Sequence, residues 1–508
     1  MIRVSRPLVL ALAVLAAATS GCLGIPSTAA ADSAVVSPAE PIVHAGRWMT
    51  AADGRVLIVH GMNVPSKSLP AYPAALGFGS ADASVLASLG FNAVRLTVER
   101  YAAEPSAGQF DSSYVPHIGD TVDALAGQGI LSLIDFHQDE YGPVFFDNGY
   151  PSWMTVTDGL PNNYYVGFPF QYLANPALER AFDHLWANDP GPDGRPLQTD
   201  DAAILSHVVS GLQSHAGILG YEILNEPWPG SSYPTCVEIG VGCPLFDRGP
   251  VSTYYARMVA AMRPADQLRL LFYEPLVLFN YGIRTWVRPP SDPQLGFAFH
   301  DYGLCSATDG GGLPVSSGSA CAAEDAIAQS NAVKYASRNA TALLNTEFGA
   351  TTDAQKLEQQ LAQFDRRMIP WMFWSYTNYI DPYAPDGSLK PPTNSNLNWT
   401  MIKLLARPYP QLIAGTPRGW SFNPSSKAFS FSYSTQRAGG AGRFPTGAET
   451  DVAVPAVQYP QGYGVSVKGA QVASAPGART LRLAQCAGAR RVSVAVSPGT
   501  GVSSSCQS

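Results

Sequence analysis

Two glutamates stand where a carboxylate can do chemistry. Glu226 lies in LNEPWPG (224–230), at the end of the apolar run GILGYEIL (217–224). Glu347 lies in ALLNTEFG (342–349), near the end of a second such run. Two carboxyl groups held about 5–5.5 Å apart can break a glycosidic bond with retention. One must be protonated, to give the leaving oxygen its proton. The other must be ionised, to attack the anomeric carbon. Like charges in one low-dielectric cleft push their two pKa values apart. Neighbours suggest the roles. Asn225 precedes Glu226, and its amide can hold a sugar hydroxyl. Arg95 can keep Glu347 ionised, and Tyr302 can donate to the same carboxylate. Glu226 is therefore read as acid/base and Glu347 as nucleophile. The plainer alternative for each is a salt-bridged strand cap.

Such a pair must be carried by elements that converge. Eight strand-like runs occur: 55–61, 92–98, 130–137, 217–226, 268–275, 295–302, 342–349 and 370–376. Between them lie helical patterns, among them Tyr114, Ile118, Val122 and Leu125 at helical spacing, and 176–187, 200–215, 251–263, 323–340, 354–368 and 396–406. Alternating strands and helices of this number predict an α/β fold, a (β/α)8 TIM barrel, over residues 40–410. The runs are apolar almost throughout, as strands buried on both faces should be. Polar residues gather toward their C-terminal ends: His60, Arg95, His137, Asn225, Glu226, Glu274, His300, Tyr302, Glu347 and Trp374. In such barrels that end carries the active site. From residue 411 to 508 the texture changes to period-two alternation, as in KAFSFSYS (427–434) and RVSVAV (491–496). This predicts a C-terminal antiparallel β-sandwich domain.

Composition excludes several classes. Of the 508 residues only 14% are charged, and the net charge of −7 comes with no basic block, so no nucleic-acid partner is expected. The 8 histidines are scattered without a His-Glu-x-x-His, and there is no Cys-x-x-Cys or Gly-x-Ser-x-Gly. Zinc, dithiol and serine-nucleophile chemistry are disfavoured; no metal and no cofactor is expected. Residues 1–31 read as a signal peptide, with Arg3 and Arg6 before a short apolar core. Cleavage after Ala29-Ala30-Ala31 would give free secretion. Alternatively, Thr19-Ser20-Gly21-Cys22 resembles a bacterial lipobox, which would anchor the chain to the envelope through Cys22. Six further cysteines pair by proximity as Cys236 with Cys243, Cys305 with Cys321, and Cys486 with Cys506, as an exported chain permits. The first two bridges would stiffen cleft walls; the third would staple the last hairpin. The alternative is six free thiols.

The motifs HGMNV (60–64), VRL (94–96), DFHQDEYG (135–142), LNEPWPG, FHDY (299–302), TEFG (346–349) and FWSY (373–376) resemble those of the secreted endoglycoceramidases, retaining cellulase-like glycosidases of family 5 in clan A. The likeness covers roughly residues 40–410 and extends into the C-terminal domain. It implies that Glu226, within Asn225-Glu226-Pro227, is the acid/base and Glu347 the nucleophile. It implies that Lys67, His137 and Asp139 hold hydroxyls of the non-reducing sugar, that Tyr302 and Trp374 belong to the site, and that Trp374 lines the sugar being cleaved. His300 is placed with the same substrate-binding set. The sequence departs from the family at DEYG, where DVYG or DVYS is usual.

The implied substrate is a glycosphingolipid or related β-glycoside, met by a monomer with peripheral contact to a membrane or micelle surface. A β-glucosidase, a glucosylceramidase or an endo-β-glucanase of the same clan is the enzymatic alternative; a carbohydrate- or lipid-binding protein is the non-enzymatic one. Read without the family, Lys67 is as well explained as a solvated lysine, and His137 and Asp139 as a satisfied turn. Glu274 is either a rival carboxylate or the group that orients Arg284 or His300. The aromatic-rich stretch 142–172 suits sugar stacking or lipid contact, or else a self-packed lid, and Trp228, Phe246 and Trp286 would extend its rim.

Overall fold

The computed structural model describes residues 40–506 apart from 163–165, 239, 304–318, 385–386 and 441, and gives the backbone alone for 319–321. Eight parallel strands close into a barrel: His60–Val64, Ala93–Glu99, Leu131–His137, Ile218–Glu222, Leu270–Tyr273, Leu295–Asp301, Ala342–Phe348 and Trp371–Phe373. Every residue in them is buried. One face of each strand meets the barrel interior and the other meets helices, so continuous apolar sequence is what the position requires. Leu133, Leu219, Phe272, Ala298, Leu344 and Met372 fill the lower interior, and Ile42, Met49 and Leu57 join the same cluster. Gly296 makes room there: a Cβ on it would stand 2.1 Å from the Phe272 ring.

The outer helices show why they start and stop. Pro176–Ala187 has Asn175 as N-cap, whose side chain accepts from the Ala177 and Leu178 amides, and proline in its first turn. Asn188 ends it in the left-handed conformation, φ 58°. Ala354–Arg367 is capped by Asp353 in the same way and buries Leu357, Leu361 and Phe364. Among the described residues no helix is long and apolar enough to cross a membrane.

The remaining strands form one hydrogen-bonded, mostly antiparallel array. Phe429–Ser434, Tyr463–Lys468 and Arg491–Pro498 alternate buried and exposed residues, as their period-two sequences require. Phe431, Val465, Leu483 and Val494 from four of these strands meet in one core.

Three expectations need correction. The run 55–61 is not one strand. Val56–Leu57 pairs with the outer array, while His60–Val64 enters the barrel. Both pieces are apolar, so periodicity could not divide them. His60 accordingly begins a barrel strand rather than ending one. It is buried between the Trp371 ring (4.2 Å between centroids) and the Tyr409 ring (3.6 Å), away from the site. Finally, the last strand, Gly501–Ser505, makes no hairpin with Arg491–Pro498. Both edges of the latter are already taken, by Phe429–Ser434 and Tyr463–Lys468. The chain crosses over and pairs parallel with Tyr463–Lys468 instead.

Candidate active site

Arg95 is the hub at the upper end of the barrel interior. It is wholly buried, on the second strand. Its Nε donates to Glu222, and its Nη1 to Glu347 Oε1 and to Asn63 Oδ1 at 3.1 Å. Its Nη2 reaches Asn225 Oδ1 at 2.9 Å and Asp135 Oδ1 at 3.1 Å. Burial alone would discharge the guanidinium, but Asp135, Glu222, Glu347 and Glu274 outweigh it and hold it firmly cationic. Tyr302 completes the grip on Glu347, donating to Oε2 at 2.6 Å. A register shift between Asn345 and Glu347 sets Glu347 beside His300 on the sixth strand. Such bulges re-aim a side chain at a barrel rim.

Glu226 lies four residues beyond the fourth strand, in the left-handed region at φ 42°. Its turn is fixed from several sides. The Asn225 amide donates to the Phe136 carbonyl at 3.2 Å, and Gln138 Nε2 donates to the carbonyls of Asn225 and Glu226 at 2.9 and 3.0 Å. Glu226 Oε1 accepts from Asn280 Nδ2 at 3.0 Å and lies 2.7 Å from His300 Nδ1. Carboxyl oxygens of Glu226 and Glu347 and a ring nitrogen of His300 all lie within 4.8 Å of one another. Burial raises the Glu226 pKa, and the charges of Glu347 and Glu274 add to that against the lowering by His300. Glu226 is thus the group whose environment favours its proton, while Glu347 has two donors aimed at it.

A second cluster stands beside the first. Asp139 Oδ2 accepts from Lys67, from Asn148 Nδ2 at 3.1 Å, and faces His137 Nε2 at 3.1 Å. Asp135 fixes the other side of that ring, 2.6 Å from Nδ1. Burial and Lys67 push the His137 pKa down, but Asp135 and Asp139 prevail and bring it to about 9. Trp374 closes the group: Lys67 Nζ lies 4.6 Å from its ring centroid, and the His137 ring stacks 5.7 Å away. Lys67, His137, Asp139 and Trp374 are therefore one assembly of donors, acceptors and an aromatic face. Asn225 and Glu274 are drawn inward instead, Asn225 by Arg95 and Glu274 by His300 at 3.3 Å. Of the two partners considered for Glu274, it is His300 that it meets. Glu140, the departure within DEYG, is buried, and among the described residues neither of its carboxyl oxygens has a hydrogen-bond partner. Burial, with Asp147 and Asp139 nearby, raises its pKa to about 8.

The stretch 142–172 is partly self-packed and partly exposed. Tyr150, Phe145 and Tyr172 are buried in the main core, whereas Phe146, Phe168 and Phe170 are exposed. Tyr164 and Tyr165 lie outside the described residues. Trp228 is not on a rim: it is 4% exposed and packs between Tyr172 and Tyr233. Phe246 packs against Trp186, and Trp286 lies under Arg248. Cys236 and Cys243 are bonded, with Cα atoms 4.4 Å apart. Their loop packs against the residues that carry Asn280. Gly242, at φ 70°, allows the approach, since a Cβ there would stand 2.1 Å from the Arg284 carbonyl. Cys486 and Cys506 are bonded as well. Cys305 and the Cys321 side chain lie outside the described residues.

Sequence reasoning missed Asn280, Glu222, Asn63 and Asp135 as members of the site. Asn63 and Asp135 sat within noted motifs, HGMNV and DFHQDEYG, and a rule that assigns a role to every polar residue of an apolar strand would have found them. The same rule would have found Glu222 inside GYEIL. Asn280 lies in a single-turn 3-10 segment, Val277–Tyr281, with no local signal.

Residues 60–380 match the cellulase (glycosyl hydrolase family 5) family, and residues 407–496 match the glycoside hydrolase family 5 C-terminal domain. The chain is similar to endoglycoceramidase I of Rhodococcus hoagii (strain 103S), with 32% identity over 462 residues, covering 87% of this chain and 86% of that one. It is 23% identical over 424 residues to an endoglycoceramidase of Hydra vulgaris, covering 77% of each chain. Among solved structures, endo-glycoceramidase II from Rhodococcus sp. in a cellobiose-like imidazole complex superposes with a TM-score of 0.71 at 26% identity, covering 89% of this chain and 100% of that one.

Proposed function

The chain belongs to glycoside hydrolase family 5, and on that premise we propose that it hydrolyses, with retention, the β-glycosidic bond between a sugar or oligosaccharide and ceramide. The observation that carries the reading is the unequal treatment of two adjacent carboxyl groups. Glu347 is gripped by Arg95 and Tyr302, which stabilise its anion. Glu226 is buried beside it, and that burial raises its pKa. An oxygen of each lies within 4.8 Å of one of the other, in keeping with the close spacing of a retaining pair and not the wider spacing of an inverting one, which supports double displacement.

In the first half, a Glu347 oxygen attacks the anomeric carbon as the glycosidic C–O bond breaks. The leaving alkoxide, the primary oxygen of ceramide, takes the Glu226 proton. In the second half, the Glu226 carboxylate takes a proton from water, whose oxygen attacks the same carbon. The ester bond to Glu347 breaks, and both groups return to their starting states. Lys67, His137 and Asp139 bind the sugar beyond the one being cleaved, and Trp374 lines the sugar being cleaved. Binding energy gained there is converted into correct placement of the reacting carbon.

Ceramide as leaving group is supported by the likeness to endoglycoceramidases over most of the chain. It is also supported by apolar side chains exposed on the loops after the third and fourth strands: Phe168, Phe170, Leu173, Val237, Val241 and Leu245. Those loops leave the catalytic end of the barrel, where a lipid tail would emerge and where the enzyme would rest on a membrane or micelle surface. The two formed disulfides support an exported enzyme, and the likeness to a Rhodococcus protein supports a bacterial one.

The test is hydrolysis of a panel of defined glycolipids and cello-oligosaccharides, with mass analysis of both products. Release of an intact glycan together with free ceramide is expected. Cleavage of cello-oligosaccharides with glycolipids untouched would overturn the assignment to ceramide.

A further inference from the structure

The bond-breaking scheme above leaves the buried carboxylate of Glu274 without a task. Glu274 lies just beyond the end of the fifth strand, 2% exposed. Its own amide donates to Tyr255 Oη at 3.2 Å. Its Oε2 accepts the backbone N–H of Glu226 at 3.2 Å. Its Oε1 lies 3.3 Å from His300 Nε2 and 3.7 Å from Arg95 Nη2. Glu222, on the neighbouring fourth strand, faces it as well. His300 in turn has Glu226 Oε1 at 2.7 Å from Nδ1, and Glu347 Oε1 at 3.6 Å from Nε2, with the Tyr302 ring edge-on beside it.

Protons can be placed in this cluster from geometry. Glu226 Oε1 already accepts from Asn280, so a proton on that oxygen would crowd the amide hydrogen. The acid proton therefore sits on Oε2, and His300 donates to Oε1 through Nδ1. His300 Nε2 then faces two carboxylate oxygens, from Glu274 and Glu347. A bare lone pair there would be repelled by both, so Nε2 also carries hydrogen and the ring is an imidazolium. Its elevated pKa agrees: burial opposes the charge, but Glu274, Glu347 and Glu226 outweigh it.

The charges around His300 change during turnover. Glu347 loses its charge when it becomes an ester, and Glu226 gains one when it gives up its proton. Glu274 touches no reacting atom and keeps its charge throughout. We propose that Glu274 is a positioning residue with two tasks: it is the constant counter-anion of His300 through both halves of the reaction, and it holds Glu226 in its left-handed backbone turn. This rests on the assignment of Glu226 and Glu347 to acid/base and nucleophile. The backbone contact matters because a non-glycine residue at φ 42° persists only where its surroundings impose it.

The inference is tested on the pH profile of kcat/KM for phenyl β-lactoside, a poor leaving group that needs the acid. Removing a fixed negative charge loosens the proton shared by His300 and Glu226. Glu274→Gln should move the alkaline limb down by about one to three pH units. Glu274→Asp, which keeps the charge, should lower kcat and leave the limb in place. A Gln variant with an unshifted limb, or equal profiles for Gln and Asp, would overturn the proposal. Azide supplies the control: Glu226→Ala should regain turnover of dinitrophenyl β-lactoside and give the β-glycosyl azide. Failure of that rescue removes the acid/base assignment, whereas rescue with an unshifted Glu274→Gln limb removes only the role of Glu274. Should neither Glu274 variant fold, nitrogen-15 spectra of histidine-labelled wild type decide the matter. Two protonated ring nitrogens on His300 at pH about 8 are expected, well above the free imidazole range, and a neutral ring there would overturn the proposal.

Discussion

Arg95 reaches Glu347 from inside the barrel, its guanidinium fully enclosed and shared with Glu222, Asn63, Asn225 and Asp135. The Glu347 carboxylate is therefore held by a cation that the rest of the barrel interior has fixed in place. Lysine carries the same charge but lacks the planar fork, so it cannot serve these partners at once. Arg95→Lys should lower kcat by about a hundredfold to a thousandfold. It should also cost about 3–5 kcal/mol of stability, because it leaves buried carboxylates unpaired. Steady-state kinetics and thermal melts check both. Near-normal kcat would show that Glu347 does not depend on this contact.

Lys67 pairs with Asp139, and its effect should depend on the length of the sugar. Lys67→Met is expected to lower kcat/KM on lactosides or cellobiosides by about tenfold to a hundredfold. Aryl glycosides with a single sugar should change little. Equal losses on both would mean that this assembly does not bind the second sugar.

The exposed loop aromatics predict a split between physical forms of substrate. Phe168→Ser combined with Phe170→Ser should slow hydrolysis of micellar glycolipid by about tenfold or more. Turnover of soluble phenyl β-lactoside should not change. Parallel loss on both substrates would place these residues in sugar binding or folding rather than at a lipid surface.

His60 offers a test of stability against pH. Burial, reinforced by the charge of Arg407, keeps its pKa well below the ordinary 6.5. As the pH falls through 6.5 the unfolded chain takes up a proton at this ring and the folded one does not. The contribution is thus complete above that pH and lost progressively below it. His60→Phe keeps a flat ring between Trp371 and Tyr409 and removes the titration. Its melting temperature should fall less steeply than that of the wild type between neutral pH and about pH 5. Parallel curves would mean that His60 is not held neutral.

Much of this arrangement was legible in the chain, for a physical reason. Barrel strands are buried on both faces, so a polar residue within or beyond an apolar run stands out, and Arg95, Glu226, His300 and Glu347 could be located that way. His60 misled because it also adjoins an apolar run, yet it sits where a strand begins; direction along a strand is invisible until the true strand boundaries are known. Asn280 carried no local pattern at all, since its place beside Glu226 depends on how the loop after the fifth strand packs against the Cys236–Cys243 loop. The last strand failed for a related reason. Its pairing was decided by which edges were already occupied, a property of the assembled array rather than of residues 501–505.

The covalent role proposed for Glu347 can be examined directly. The protein would be incubated with dinitrophenyl 2-deoxy-2-fluoro-β-lactoside and the corresponding cellobioside, then digested and mapped by mass spectrometry. A single added fluoroglycosyl group on the peptide containing Glu347 is the expected result, with activity recovering as the adduct turns over. A label on Glu226 instead, or inverted product from the unfluorinated substrate, would contradict the account.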